Sequence, residues 1–215
     1  TYGDGLFVAI GYTSTVIWTS PNGINWTART TPASSVYLFG ITYANGLFVI
    51  VGGNSLVWTS PDGINWTAQT ISYSGSLYGV THGNGLFVAF GTAIPLMTST
   101  DGINWTLRDQ PSSLSSTATV YAMAYSDGMF LAAVDSAGEY IWYSDDGINW
   151  NTHPHPSTSI SMLNGVGAHD GMFVLVGPDG TLWSLDSQTY PYNRYTQFQL
   201  PTVPDSGDAT AWIKT

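Results

Sequence analysis

The chain has 215 residues, 43% of them hydrophobic and only 8% charged, and its 4 basic and 14 acidic side chains leave a net charge of -10. So acidic a surface excludes a binder of nucleic-acid phosphates, and no apolar run is long enough for direct membrane insertion. The absence of cysteine excludes a disulfide framework and a thiolate site. Starting with Thr1 rather than Met, the sequence is expected to be a processed or excised piece.

In chain order, Thr1-Tyr2 reads as the end of a strand, Asp4-Gly5 as a tight turn and Leu6–Ile10 as a strand apolar on both faces. The chain then repeats itself. Gly-Leu-Phe or Gly-Met-Phe opens at Gly5, Gly46, Gly85, Gly128 and Gly171, at steps of 41, 39, 43 and 43 residues. Each glycine follows Asn or Asp, the pair that accepts positive φ at both central positions of a tight hairpin. Each unit reads as four short strands. In the second unit these are residues 38–43, 47–51, 56–58 and a strand after Trp66. Six residues before the repeat glycine stand Gly40, Gly79, Ala122 and Gly165, as expected where backbones converge near a crowded axis.

Doubly apolar second strands need a sheet on either side, which radial stacking of blades provides. The sequence therefore predicts one all-β domain over residues 1–215, a five-bladed β-propeller of four-stranded antiparallel blades. Residues 209–215 are expected to close it as the inner strand of blade one, against Leu6–Ile10. Register places Lys214 where the other blades have Gly or Ala, so either the register shifts or this strand pairs with a neighbouring subunit.

A second motif lies between strands three and four. Ser60-Pro61-Asp62-Gly63 with Trp66 recurs as Ser99, Asp101 and Trp105, and as Ser144, Asp146 and Trp150; Ser20, Asn22 and Trp26 carry Asn for Asp. A degenerate echo stands at Ser184, Asp186 and Tyr190. This pattern resembles a shortened Asp-box of sialidase-type (BNR-like) propellers. The resemblance implies a structural hairpin at the propeller periphery, its Ser and Asp capping turn N–H groups and its Trp wedged between blades. Three Asn-Trp-Thr sequons, at Asn25, Asn65 and Asn104, are by-products of the same box.

The resemblance also raises glycoside hydrolysis, for which sialidases use three arginines, a Tyr–Glu pair and an acidic Asp. Here Arg29 and Arg108 fall on the outermost strand, at the position of Gln69 and His153. Asp135 and Glu139 flank one turn and are the only carboxylate pair worth testing as catalytic. No cofactor is implied. His153 and His155 on one strand face offer half a metal site without partners, so no metal is expected either. Tyr2, Tyr43, His82 and Tyr125 share one repeat position. They form either a sugar-stacking ring at one end of the channel or core packing with one wet end. Tyr73, on a connecting loop, is a further ligand candidate.

Turns and boxes on one face barely vary, whereas the connections at 30–35, 70–76, 109–119, 154–161 and 201–208 on the other differ widely. Unequal loops on a rigid scaffold are where recognition is expected. The sequence thus predicts a non-enzymatic structural or binding module, extracellular or on a virion surface. Its expected partner is a glycan, a protein, or copies of itself. Scarce lysine, abundant Ser and Thr, and an end that resembles those of some phage virion proteins point that way. The alternatives are a sialidase-like hydrolase and an assembly scaffold similar to the Asp-box propellers that chaperone membrane complexes, which typically carry basic patches.

Overall fold

The computed structural model describes residues 1–12, 16–92, 96–109, 119–135, 140–154, 163–177, 181–187 and 196–199. Its strands form five four-stranded antiparallel sheets, each built from consecutive strands in chain order. Blade 1 holds β1 (Tyr2–Gly3), β2 (Leu6–Ile10), β3 (Ile17–Ser20) and β4 (Thr27–Arg29). Blade 2 holds β5 (Leu38–Ala44), β6 (Leu47–Gly52), β7 (Val57–Ser60) and β8 (Thr67–Gln69). Blade 3 holds β9 (Leu77–Gly83), β10 (Leu86–Gly91), β11 (Leu96–Ser99) and β12 (Thr106–Arg108). Blade 4 holds β13 (Thr119–Ser126), β14 (Met129–Asp135), β15 (Tyr140–Ser144) and β16 (Asn151–Pro154). Blade 5 holds β17 (Gly165–His169), β18 (Met172–Val176), β19 (Thr181–Asp186) and β20 (Thr196–Gln199).

The tight turns behave as their residues require. Asn45 and Gly46 both take positive φ, 52° and 74°, and the pairs opening at Asp4, Asn84, Asp127 and Asp170 do the same. The inner strands of neighbouring blades lie side by side, β5 with β9, β9 with β13 and β13 with β17. Small residues permit this: a Cβ on Gly40 would stand 2.7 Å from the α-carbon of Gly79.

Among the described residues the core is not one mass but four interfaces with one formula. One side of a blade presents the residues equivalent to Leu6, Val8 and Ile10. The next blade meets it with the residues equivalent to Phe48, Ile50 and Trp58. The formula recurs between blades 2 and 3, 3 and 4, and 4 and 5. Alternation along each second strand explains why it is apolar throughout, since odd and even residues serve different neighbours. The closing strand expected at residues 209–215 lies outside the described residues. In blade 1, β1 is only two residues long and is extended by Thr1, whose N and O bond the O and N of Val8 at 3.0 and 2.9 Å.

Candidate functional site

The box hairpins take a common geometry. Asp62 Oδ1 accepts N–H bonds from Ile64 and Asn65 and the hydroxyl of Ser60, at 2.8–2.9 Å. Its Oδ2 accepts Asn65 Nδ2 at 2.7 Å, and Trp66 Nε1 donates to the carbonyl of Gly63 at 3.2 Å. Asp101 and Asp146 repeat the set with Ser99 and Trp105, and with Ser144 and Trp150. Asn22 keeps the same backbone bonds through its amide oxygen, with Ser20 and Trp26 in place. The backbone N–H of Asn65, with those of Ile64 and the side chains around it, holds the Asp62 carboxyl well below the usual carboxylate range against mild burial. Asp101 is lowered likewise, led by the N–H of Asn104. Burial pushes Asp146 up, but the N–H groups of Asn149 and Ile148 outweigh it and hold the carboxyl at about 2. Both carboxylate oxygens of Asp62, Asp101 and Asp146 accept bonds from within their own turn. The amides of Asn65 and Asn104 are committed to the same bonds.

Of the residues singled out as ligand candidates, Tyr43, His82 and Tyr125 lie at the tight-turn end of the inner strands. Each packs on the phenylalanine opposite, Phe48, Phe87 or Phe130, with ring centroids 4.4–4.7 Å apart. Tyr43 and Tyr125 also cover the preceding blade where it carries Gly3 and Gly83; a Cβ there would fall 2.1 Å from the ring. Tyr2 makes the same cross-strand contact with Phe7, at 4.6 Å, but is exposed. Burial lowers the pKa of His82. Tyr73 is wedged between two blades: Ser55 donates to its carbonyl at 2.5 Å, and its hydroxyl reaches the carbonyl of Thr92 at 3.4 Å. Burial raises the pKa of this phenol.

Arg29 and Arg108 lie on the outermost strands, where their Nε atoms donate to Thr19 and Thr98 at 2.7 and 2.8 Å. Gln69 does the same to Thr59. Asp135 ends β14, on the face opposite the boxes; Glu139, His155, Tyr190, Arg194 and Lys214 lie outside the described residues. Among the described residues, no three His, Asp or Glu side chains converge as a metal site would need.

A different constellation emerges on the face of unequal loops. In β5, β9 and β13 the pairing skips one residue, at Phe39, Tyr78 and Tyr121. A bulge turns its extra side chain away from the ladder, and here it aims three aromatic rings out of three successive inner strands. Phe39 meets Tyr78 edge to face at 5.4 Å, and Tyr78 stacks near Tyr121 at 6.4 Å. Tyr37 and Tyr12 extend the row past Phe39, at 6.3 and 5.6 Å. Tyr12, Tyr37 and Tyr121 are exposed and the other two half-buried. The signal was present in the sequence as an aromatic residue before each small one: Phe39-Gly40, Tyr78-Gly79 and Tyr121-Ala122. A separate groove of about 460 Å³ lies at the periphery, between Arg29–Pro32 and Ile64–Trp66.

The fold has solved counterparts. It is similar to YCF48 bound to D1 peptide, with 19% identity and a TM-score of 0.63 over 84% of this chain and 60% of that one. YCF48 from Cyanidioschyzon merolae matches at 19% identity and a TM-score of 0.64, over 87% of this chain and 68% of that one. The computationally designed Ika4 protein matches at 10% identity and a TM-score of 0.56, over 73% and 95%. The chain is a β-propeller of five four-stranded antiparallel blades. It spans 60% of the length of the peptide-bound YCF48 chain. No family model and no curated protein matches the sequence.

Proposed function

We propose that this chain is a non-enzymatic binding module that holds its partner across the row Tyr12–Tyr37–Phe39–Tyr78–Tyr121. The observation carrying this reading is the repeated bulge, which breaks three sheet ladders at one position to present aromatic rings. Rings that project from rigid strands beside unequal loops form a surface that contributes large contact area at small entropy cost. YCF48, with the same fold, is known bound to a peptide, so an extended polypeptide is the first expected ligand and a glycan the second. Net charge favours a neutral or cationic partner. Scarce lysine and abundant Ser and Thr support an extracellular or virion-surface setting, and the box hairpins support kinship with the Asp-box propellers.

Peptide and glycan arrays test the reading. Binding that falls about tenfold in Tyr78→Ala and Tyr121→Ala, while both variants still unfold cooperatively with only a small stability loss, supports it. Binding that survives both variants refutes it. Turnover of fluorogenic glycosides, abolished by Glu139→Gln, would instead establish the hydrolase alternative.

A further inference from the structure

The two end blades carry matching halves of the interface that the chain has already formed four times. At the four internal interfaces, Phe48, Phe87, Phe130 and Phe173 are completely buried and Trp58, Trp142 and Trp183 are 1–4% exposed. Their blade 1 equivalents, Phe7 and Trp18, are 37% and 41% exposed, and Tyr2 and Trp26 beside them are exposed too. Blade 5 shows the complement. Val49, Val88 and Leu131 are completely buried, whereas the equivalent Val174 is 39% exposed, flanked by Met172 and Val176 at 43% and 42%. Among the described residues, these two surfaces keep the exposure that the internal interfaces lose.

We propose that they mate between chains, blade 5 of one copy packing its Met172, Val174 and Val176 against Tyr2, Phe7 and Trp18 of blade 1 of the next. What commits the occupant to a second copy is continuity with the interfaces inside the chain. The required counter-surface is an aromatic Phe-and-Trp face at this repeat spacing, and blade 1 presents one. Such a contact is heterologous, so it generates a ring if the rotation closes and a filament if it does not. One position differs from the internal interfaces. His169 stands where Gly3, Ala44, Gly83 and Ser126 stand, so Tyr2 of the incoming copy settles beside an imidazole, whereas Tyr43 and Tyr125 settle over Gly3 and Gly83.

Ala9 is exposed in the centre of the blade 1 surface and Val174 in that of blade 5, so a charge at either should block association without emptying the core. Mass in solution, by sedimentation velocity from about 1 to about 200 µM, should rise with concentration for the unmodified chain. Ala9→Glu and Val174→Glu should each stay at the mass of one chain. Mixed, they should form a dimer with one copy of each and go no further, because each retains the half that the other has lost. His169→Gly, which supplies the glycine found at two of the four internal interfaces, Gly3 and Gly83, should associate about tenfold more tightly than the unmodified chain. Circular dichroism and thermal melting of each variant verify folding. A chain that stays monomeric throughout the range overturns the proposal, as closure of blade 5 on its own blade 1 would produce. A mixture of folded variants that fails to dimerise overturns it too.

Discussion

Gly40 and Gly79 meet backbone to backbone across blades 2 and 3, so closely that a methyl group on Gly40 would stand 2.7 Å from the Gly79 α-carbon and 3.1 Å from the Tyr78 carbonyl oxygen. Neither contact can yield by rotating a side chain. Gly40→Ala must therefore push two inner strands apart and should cost about 3 kcal/mol. Gly46→Ala makes a useful contrast: its Cβ would meet nothing within 4 Å, but the φ of 74° strains any side chain, at about 1 kcal/mol. Urea unfolding of both variants gives the comparison. Equal losses would show that crowding at the axis contributes nothing.

The Asp62 carboxylate caps two backbone N–H groups that otherwise face a turn without partners. Asp62→Ala should lose about 1–2 kcal/mol. Asp62→Asn should recover most of that, because Asn22 makes the same two backbone bonds in blade 1. Thermal melting of the two variants checks the order. If Asn proves as damaging as Ala, the negative charge, and not the geometry of the cap, matters at this turn.

Acid should act through the same boxes. Asp62, Asp101 and Asp146 all titrate below their ordinary range in the folded chain. Between the folded values and about pH 4 the unfolded chain therefore binds more protons, so stability rises with pH across that window. The boxes contribute fully above about pH 4, and their contribution fades as pH falls toward about 2. Urea midpoints at pH 6, 4 and 2.5 should decline in that order. The decline should be smaller in a variant that carries Asn at all three positions, as blade 1 already does at Asn22. These carboxylates are largely solvated, so the effect per box is modest.

Tyr43 and Tyr78 belong to neighbouring inner strands but to opposite ends of the channel. Tyr43 covers Gly3 and packs on Phe48, and its replacement by Ala should cost about 3 kcal/mol. Tyr78 makes its ring contacts with Phe39 and Tyr121 in the row above the inner strands. Tyr78→Ala should cost about 1 kcal/mol of stability while weakening ligand binding about tenfold. Calorimetry of folding beside a binding titration separates the two roles. A large stability loss from Tyr78→Ala would mark the aromatic row as scaffold.

The propeller was legible in the sequence because its determinants are local and repeated. Asn45-Gly46 states a turn type, Asp62 to Trp66 states a capped hairpin, and the run after Gly46 states a strand buried on both sides. The aromatic row was harder to read. It depends on bulges at Phe39, Tyr78 and Tyr121, and one extra residue in a strand leaves the hydrophobic pattern on either side intact. Position relative to Gly40 carried the information, but only a sheet register shows which residue is left unpaired. The reverse happened at Tyr43, His82 and Tyr125. Their spacing marked a ring of aromatic tips, while contacts with Gly3, Gly83 and the strand-two phenylalanines depend on how neighbouring blades overlap.

Arg29 and Arg108 give a final test, because cations beside the box hairpins invite a catalytic reading. Both reach along the blade edge to a buried threonine on the strand before them, and Gln69 bonds Thr59 at the same place without a charge. What the position needs is a donor long enough to reach the threonine hydroxyl oxygen. Arg29→Gln and Arg108→Gln should each shift stability by less than about 0.5 kcal/mol. Arg108→Ala removes the donor from Thr98 and should cost about 1 kcal/mol. Melting curves of the three variants decide the matter: if Gln behaves like Ala, the guanidinium itself is required, and its role at the blade edge is more than that of a strand clamp.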